Sequence, residues 1–330
     1  MPHSKRTRIA VFFCGGTTVS RGIEPWERVK KPADMERWLR HMPELMIVAD
    51  IEPVFITGKR ATDVGVQEWL AIAHEVKRRC AAVDGILILH GIETLHYTAN
   101  ALALMLGSLP IPVVLSGSPL RSDSSVPSAH FGARANIINA AQVATADIAE
   151  VCVVFGNRIM RASRIQLGLR DGSLQLTTID GSLLGRVDFG TTFSADRVRR
   201  SVRKPSWRIH CEPNIFTMTA APGSVLPLAR AIDAGIRGIV VRSAQDFLAL
   251  PPPLTDELDH AVRKRIPVII ASPQRIRGLP ARYLPLVGVS ASMAVVKSMW
   301  AIGGTKSPRA VRTLLERDIA GEFVPQRGRI

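Results

Sequence analysis

The chain has 330 residues, with 43 Lys+Arg against 28 Asp+Glu and a formal net charge of +15. At 46% hydrophobic residues it can bury a full core, which excludes disorder; at 5% aromatic it has little material for stacking nucleic-acid bases. The length fits two domains at roughly 100–200 residues each.

The charge by itself would suit RNA, DNA or an anionic membrane surface. Basic clusters at 4–8, 77–79 and 197–208 do not repeat at helical spacing. Scattered surface charge is therefore the expectation, with neither nucleic acid nor membrane as a partner. Cys14, Cys80, Cys152 and Cys211 form no CxxC pair or Cys/His cluster, which argues against a zinc site. No apolar run approaches the ~18 residues that span a bilayer. The apolar run at 9–14 is also shorter than the ~7–15 residues of a signal-peptide core, and a reducing cytoplasm is expected.

Residues 9–14 read as a first strand, ending in Gly15-Gly16-Thr17-Thr18, where two glycines let the backbone bend sharply. A polar, mobile loop is expected over 20–32, a helix over 34–41, a strand over 52–56 with a polar exit at 57–60, and a helix over 66–79. Residues 85–89 are a short apolar run that suits a buried parallel strand, and helical spacing follows from Thr94. Between them His90-Gly91-Ile92-Glu93 must be a tight strand-to-helix turn. Such turns lie at the carboxyl edge of a parallel sheet, where open α/β folds place their ligands.

Further strands are expected at 112–116 and 150–155, with a helix over 132–144 between them. This alternation specifies a parallel sheet with right-handed crossovers. Residues 156–184 lose the rhythm and read as short hairpins or loops. A second alternation follows, with strands at 216–220, 238–242 and 267–271 and helices at 226–234, 254–265, 291–302 and 309–317. The expected architecture is α/β: a larger N-terminal, doubly wound, mostly parallel domain (1–190), a basic linker (191–212) and a smaller C-terminal α/β domain (213–330).

Several stretches together resemble the L-asparaginase family, most closely its cytoplasmic type I branch. Cys14-Gly-Gly-Thr-Thr18 is similar to TGGTI, His90–Ala99 (HGIETLHYTA) to HGTDTMAYTA, and Val114–Ser118 to VLTGS. Residues 136–155 and 292–302 resemble two further family segments. The resemblance implies hydrolysis of L-asparagine to aspartate and ammonia, with a threonine nucleophile and no metal or organic cofactor. It also implies a small amide or amino-acid ligand and a homodimer or homotetramer. Carried over by position, Thr17 is the nucleophile, and Ile92 and Glu93 replace the family's Thr-Asp pair. Leu167 stands where the family has lysine. Arg60, Ala61 and Thr62 fall on the substrate loop, with Ala61 in place of a substrate-binding serine. Trp26 is the nearest aromatic to the family's loop tyrosine, and residues 243–250 replace a glycine-rich loop of the second domain.

A hydroxyl is a weak nucleophile without a neighbouring base, and an oxyanion needs donors. Ile92 can neither donate, accept nor attack, and Leu167 removes a cation. Glu93 is either a displaced base or an acid at a helix start, where it is favourable by ~0.3–1 kcal/mol. His96 is expected as a surface or packing residue, and Lys59 and Arg60 as either an anion site or a solvated loop. The expected function is an asparaginase-like amidohydrolase with weak, shifted or lost activity. Alternatives are a catalytically inactive binding or regulatory protein, or a relative of a tRNA-dependent amidotransferase.

Overall fold

The structure, a computed structural model, describes residues 6–15, 29–117, 128–170, 173–201, 205–221, 228–243, 250, 252–273 and 278–324. It divides into two compact units, Met1–Ile209 and His210–Ile330.

The first unit is built on an eight-stranded sheet in the order β10-β9-β6-β5-β4-β3-β1-β2. Five strands are parallel: β1 (Arg8–Cys14), β2 (Asp50–Thr57), β3 (Gly85–His90), β4 (Val113–Ser116) and β5 (Val151–Phe155). Every residue of β3 is buried, as a strand covered on both faces requires. Each large aliphatic side chain so buried contributes about 1.5–3 kcal/mol. Helices α1 (Asp34–Arg40), α2 (Pro43–Val48), α3 (Val66–Arg79), α4 (Ile92–Leu106) and α5 (Ser128–Ala144) complete the layers. Helix α2 is not among the expected elements; proline at its first turn supplies a start that apolar periodicity over six residues does not reveal.

The stretch read as hairpins holds β6 (Arg158–Arg161), a 3₁₀ turn (Ala162–Arg164), β7 (Ile165–Arg170) and β8 (Ser173–Thr178), and β9 (Gly185–Val187) follows directly after it. Strands β7 and β8 form a separate antiparallel pair. Most of the stretch expected as a linker belongs instead to the first unit. It carries β10 (Thr191–Phe193), and Ala149 N–H donates to the Val198 carbonyl at 2.8 Å. Its arginines serve the chain just past α5: Arg197 Nε donates to the Asp147 carbonyl at 3.0 Å and Arg200 Nε to the Ala146 carbonyl at 2.9 Å. The segment lacks apolar periodicity because its contacts are polar.

The second unit has a four-stranded parallel sheet in the order β11-β12-β13-β14, spanning Ile215–Ala220, Gly238–Ser243, Val268–Ser272 and Leu284–Val287. Its helices are α6 (Leu228–Asp233), α7 (Pro252–Arg263), α8 (Ala291–Gly304) and α9 (Pro308–Glu316). Ser290 caps α8 by accepting from Met293 N–H at 3.1 Å. The fully buried Lys297 of α8 pairs with the equally buried Glu322 at 2.5 Å and donates to the Arg317 carbonyl at 2.7 Å. This pair ties the segment after α9 to the core of the unit. Among the described residues no helix is long and apolar enough to cross a membrane.

Candidate active site

In the parallel part of the large sheet the strand order is 5-4-3-1-2, so the chain leaves β1 toward one edge and later fills the other side from β3. The topological switch point therefore lies between β1 and β3, where such sheets open a crevice for ligands. Cys14 and His90 are register partners at the carboxyl ends of these two strands. The turn 90–91 and Gly15 thus emerge side by side. Gly15 has φ +51°, donates to the Thr57 carbonyl at 2.8 Å, and would place a Cβ 2.0 Å from the Lys59 carbonyl oxygen. Only glycine fits there. Gly117, at the exit of β4, is similarly pressed against the His90 carbonyl, 2.2 Å from the position of a Cβ. Thr17 and Trp26 lie outside the described residues, as do 244–249.

Helix α4 begins at Ile92, two residues earlier than its periodicity suggests, with Gly91 as N-cap. One of its faces is held by a hydrogen-bond relay. Trp69 Nε1 donates to Thr98 Oγ1 at 3.0 Å, Thr98 Oγ1 lies 2.9 Å from His90 Nε2, and His90 Nδ1 lies 2.8 Å from the Gly91 carbonyl. An indole N–H only donates and a carbonyl only accepts, so the proton order is forced. His90 carries its proton on Nδ1 and accepts the Thr98 hydroxyl at Nε2. Complete burial pushes the His90 imidazole down to about 4, against an opposing pull from the Gly91 carbonyl, so it is neutral at pH 7.

The same face anchors the loop after β2. Thr94 Oγ1 donates to the Ala61 carbonyl at 2.5 Å, and Ala61 itself is buried. Arg60 Nε donates to Asp63 Oδ2 at 2.9 Å, and Thr62 Oγ1 to Asp63 Oδ1 at 3.3 Å. Lys59 Nζ donates to Glu68 Oε1 at 2.6 Å, while Glu68 Oε2 accepts from Gly65 N–H at 3.0 Å. Burial would raise the Glu68 carboxyl, but these bonds outweigh it and hold the group below its ordinary value. Both basic residues of the loop already have acidic partners nearby. A free anion site does not follow from them.

The other face differs. Ile92 is fully buried in the core. Glu93 Oε2, His96 Nδ1 and Asn100 Oδ1 are buried atoms without a hydrogen-bond partner among the described residues. Glu93 Oε2 therefore caps nothing, although the residue sits in the first turn. Asn100 Nδ2 donates to the Ala162 carbonyl at 2.6 Å, which places this face against the 3₁₀ turn that leads into β7. Leu167 lies on β7, half-buried, opposite Leu176 of β8. His96 is buried, not a surface residue, and burial, with His90 nearby, pushes its imidazole down to about 4. Among the described residues no group of three or more His, Cys, Asp or Glu could hold a metal.

A match to the asparaginase family, described as its N-terminal region, spans residues 8–189, from β1 through β9. The chain belongs to the asparaginase family. Among curated relatives, a glutamyl-tRNA(Gln) amidotransferase chain of Pyrococcus abyssi is 27% identical over 345 residues, covering 96% of this chain and 77% of that protein. An L-asparaginase of Thermococcus kodakarensis is 26% identical over 289 residues, covering 83% and 87%. Among solved structures, the thermostable L-asparaginase from Thermococcus kodakarensis has a TM-score of 0.79 at 24% identity, covering 97% of this chain and 100% of that one. L-asparaginase I from Vibrio cholerae has a TM-score of 0.77 at 22% identity, with the same coverage. At these identities the structures speak for the fold.

Within the family frame, the polar character of α4 is where sequence reasoning falls short. Apolar periodicity puts Thr98 in the core stripe and gives His96 and Asn100 no role. The available signal is a histidine, a threonine and an asparagine placed within five positions of an otherwise apolar helix. Fully buried polar residues at such spacing need partners.

Proposed function

We propose that the protein is an asparaginase-type amidohydrolase whose activity on L-asparagine is weak or shifted to a related amide. The observation that carries this reading is the Asparaginase match across 8–189, with the HGIE turn at the switch point of the sheet. Thr17 is the proposed nucleophile and Glu93 the proposed base. Arg60, Ala61 and Thr62 form the proposed substrate loop. Both kinds of relative bear names associated with amide nitrogen, an L-asparaginase and an amidotransferase, and hydrolysis of an amide is the chemistry common to that pair. A small amide or amino-acid ligand, a homodimer or homotetramer and a cytoplasmic setting complete the reading.

Ile92 and Leu167 favour a second reading, a catalytically silent protein that binds a small ligand. They remove a hydroxyl and a cation from positions where the family resemblance puts a coupled unit, and loss of one member of such a unit is commonly as damaging as loss of all.

Ammonia release decides between the two. Wild type, Thr17→Ala and the triple variant Ile92→Thr, Glu93→Asp, Leu167→Lys are assayed on L-asparagine, L-glutamine and related amides. Release by wild type that disappears in Thr17→Ala is the expected result. No release by wild type at high enzyme and substrate, with a gain in the triple variant, selects the silent reading.

A further inference from the structure

Within the second unit, Lys297 of α8 and Glu322 of the segment after α9 have fully buried side chains whose charged atoms lie 2.5 Å apart. Burial pushes the Lys297 ammonium down, against the pull of Glu322 and Asp318. It pushes the Glu322 carboxyl up, against the pull of Lys297. Desolvation thus opposes both charges, and each depends on the other. Removing one partner of such a pair strands a buried charge, whereas replacing both by apolar groups is often neutral.

The surroundings are built for a carboxylate. Glu322 Oε1 accepts from Lys297 Nζ, Ile319 N–H donates to both carboxylate oxygens at 3.2 and 3.1 Å, and Ala320 N–H donates to Oε2 at 2.7 Å. The ammonium is satisfied in turn. It also donates to the Arg317 carbonyl at 2.7 Å and lies 4.2 Å from the centroid of the Phe323 ring. Its three donors are matched by a carboxylate, a carbonyl and an aromatic face. Gly321, at φ +71°, makes the bend before Glu322, and its N–H donates to Asp318 Oδ1 at 2.7 Å. Beyond the pair, Val324 N–H donates to the Gly288 carbonyl at 3.2 Å, and Gly288 N–H to the Ser272 carbonyl at 3.2 Å. Ser272 and Val287 are register partners at the ends of β13 and β14. The segment therefore reaches the carboxyl edge of the four-stranded sheet.

We propose that Asp318–Val324 is a strap fastened to the carboxyl edge of the four-stranded sheet, locked by Glu322 as the built-in carboxylate ligand of a site centred on Lys297. While Glu322 is held in cis its effective concentration is high, so a free carboxylate does not displace it. With Glu322 truncated, the same site takes a small free carboxylate. Opening the strap with no substitute strands Lys297 in the core, so the strap and α8 open together. The lock is independent of the amide reading.

The test uses the full-length protein, with hydrogen exchange read by mass spectrometry over 318–324 and α8. In wild type the two segments should exchange in one step with equal denaturant dependence. Glu322→Ala deletes a group of the size of acetate. It should melt about 10 °C or more below wild type. Acetate should recover at least half of that loss saturably, chloride at equal ionic strength should not, and neither should change wild type. The double variant Lys297→Met, Glu322→Leu should melt within a few degrees of wild type and ignore acetate, while its strap exchanges at least tenfold faster than α8. A Glu322→Ala protein that melts with wild type, or that chloride restores as well as acetate does, overturns the carboxylate site. A wild-type strap that exchanges ahead of α8 overturns the lock. If Glu322→Ala does not fold, the double variant decides: a strap that still exchanges as slowly as α8 overturns the lock as well.

Discussion

The two faces of α4 are made from the same kinds of residue and differ in how their hydrogen bonds close. On one, Trp69, Thr98, His90 and Gly91 form a closed chain in which every donor has a named acceptor. On the other, Glu93, His96 and Asn100 each leave an atom without a partner among the described residues. Buried networks that are fully satisfied rigidify a site, and partly satisfied ones are costly. The contrast separates a fully satisfied scaffold face from one whose polar atoms are only partly met. The scaffold face also holds the proposed substrate loop through Thr94 and Ala61. The open face looks toward the 3₁₀ turn before β7, the strand that carries Leu167.

Acid should bear on both faces, since burial holds His90 and His96 alike near 4. His90 has a folded value near 4, below the ordinary 6.5. A histidine whose folded value is depressed binds more protons when unfolded, so stability is full above about 6.5 and falls as pH drops toward 4. The loss from His90 is on the order of 3 kcal/mol. Denaturant titrations of the His96→Leu variant at pH 7.5 and pH 4.5 measure it apart from the His96 contribution, and a midpoint that does not move would contradict the assigned burial and tautomer. The next largest effect is Thr98→Val, which keeps the shape but strands both Trp69 Nε1 and His90 Nε2. It should cost about 2–4 kcal/mol. Thr94→Val, which frees only the Ala61 carbonyl, should cost about 1 kcal/mol in the same denaturant titration.

How legible this is depends on the kind of order involved. The parallel strands announce themselves as apolar runs such as Gly85–His90, and the switch point follows from their connection. Strands such as β9 and β10 are three residues long and mixed in polarity, too short to show a period of two. Strand β14 carries Pro285 and escapes the pattern; among the described residues it pairs only with β13, consistent with an edge position for proline. The basic stretch 197–200 reads as a linker because its partners are backbone carbonyls and the carboxylates of Asp147 and Glu150, contacts that leave no apolar period. At the site, local pattern suffices to place the strand-to-helix turn at His90-Gly91, though it starts the helix two residues late. It does not reveal the relay, because Trp69 and Thr98 are 29 positions apart and meet only through the packing of α3 on α4.

The smallest effect carries the opposite sign and sharpens the comparison most. His96→Leu removes an imidazole whose Nδ1 has no partner among the described residues and replaces it with an apolar group of similar size. On the scaffold face an equivalent loss of polarity destabilises; here it should stabilise the protein by about 0.5–1 kcal/mol, because it removes a nitrogen that is buried without a partner among the described residues. Thermal melts of wild type, His96→Leu, Thr98→Val and the double variant separate the two faces. The single changes should move the midpoint in opposite directions. Their effects should add only in part, because the residues are two positions apart on one helix, both near His90. A His96→Leu midpoint that falls as far as that of Thr98→Val would mean that the imidazole already has a partner, and the asymmetry between the faces would vanish.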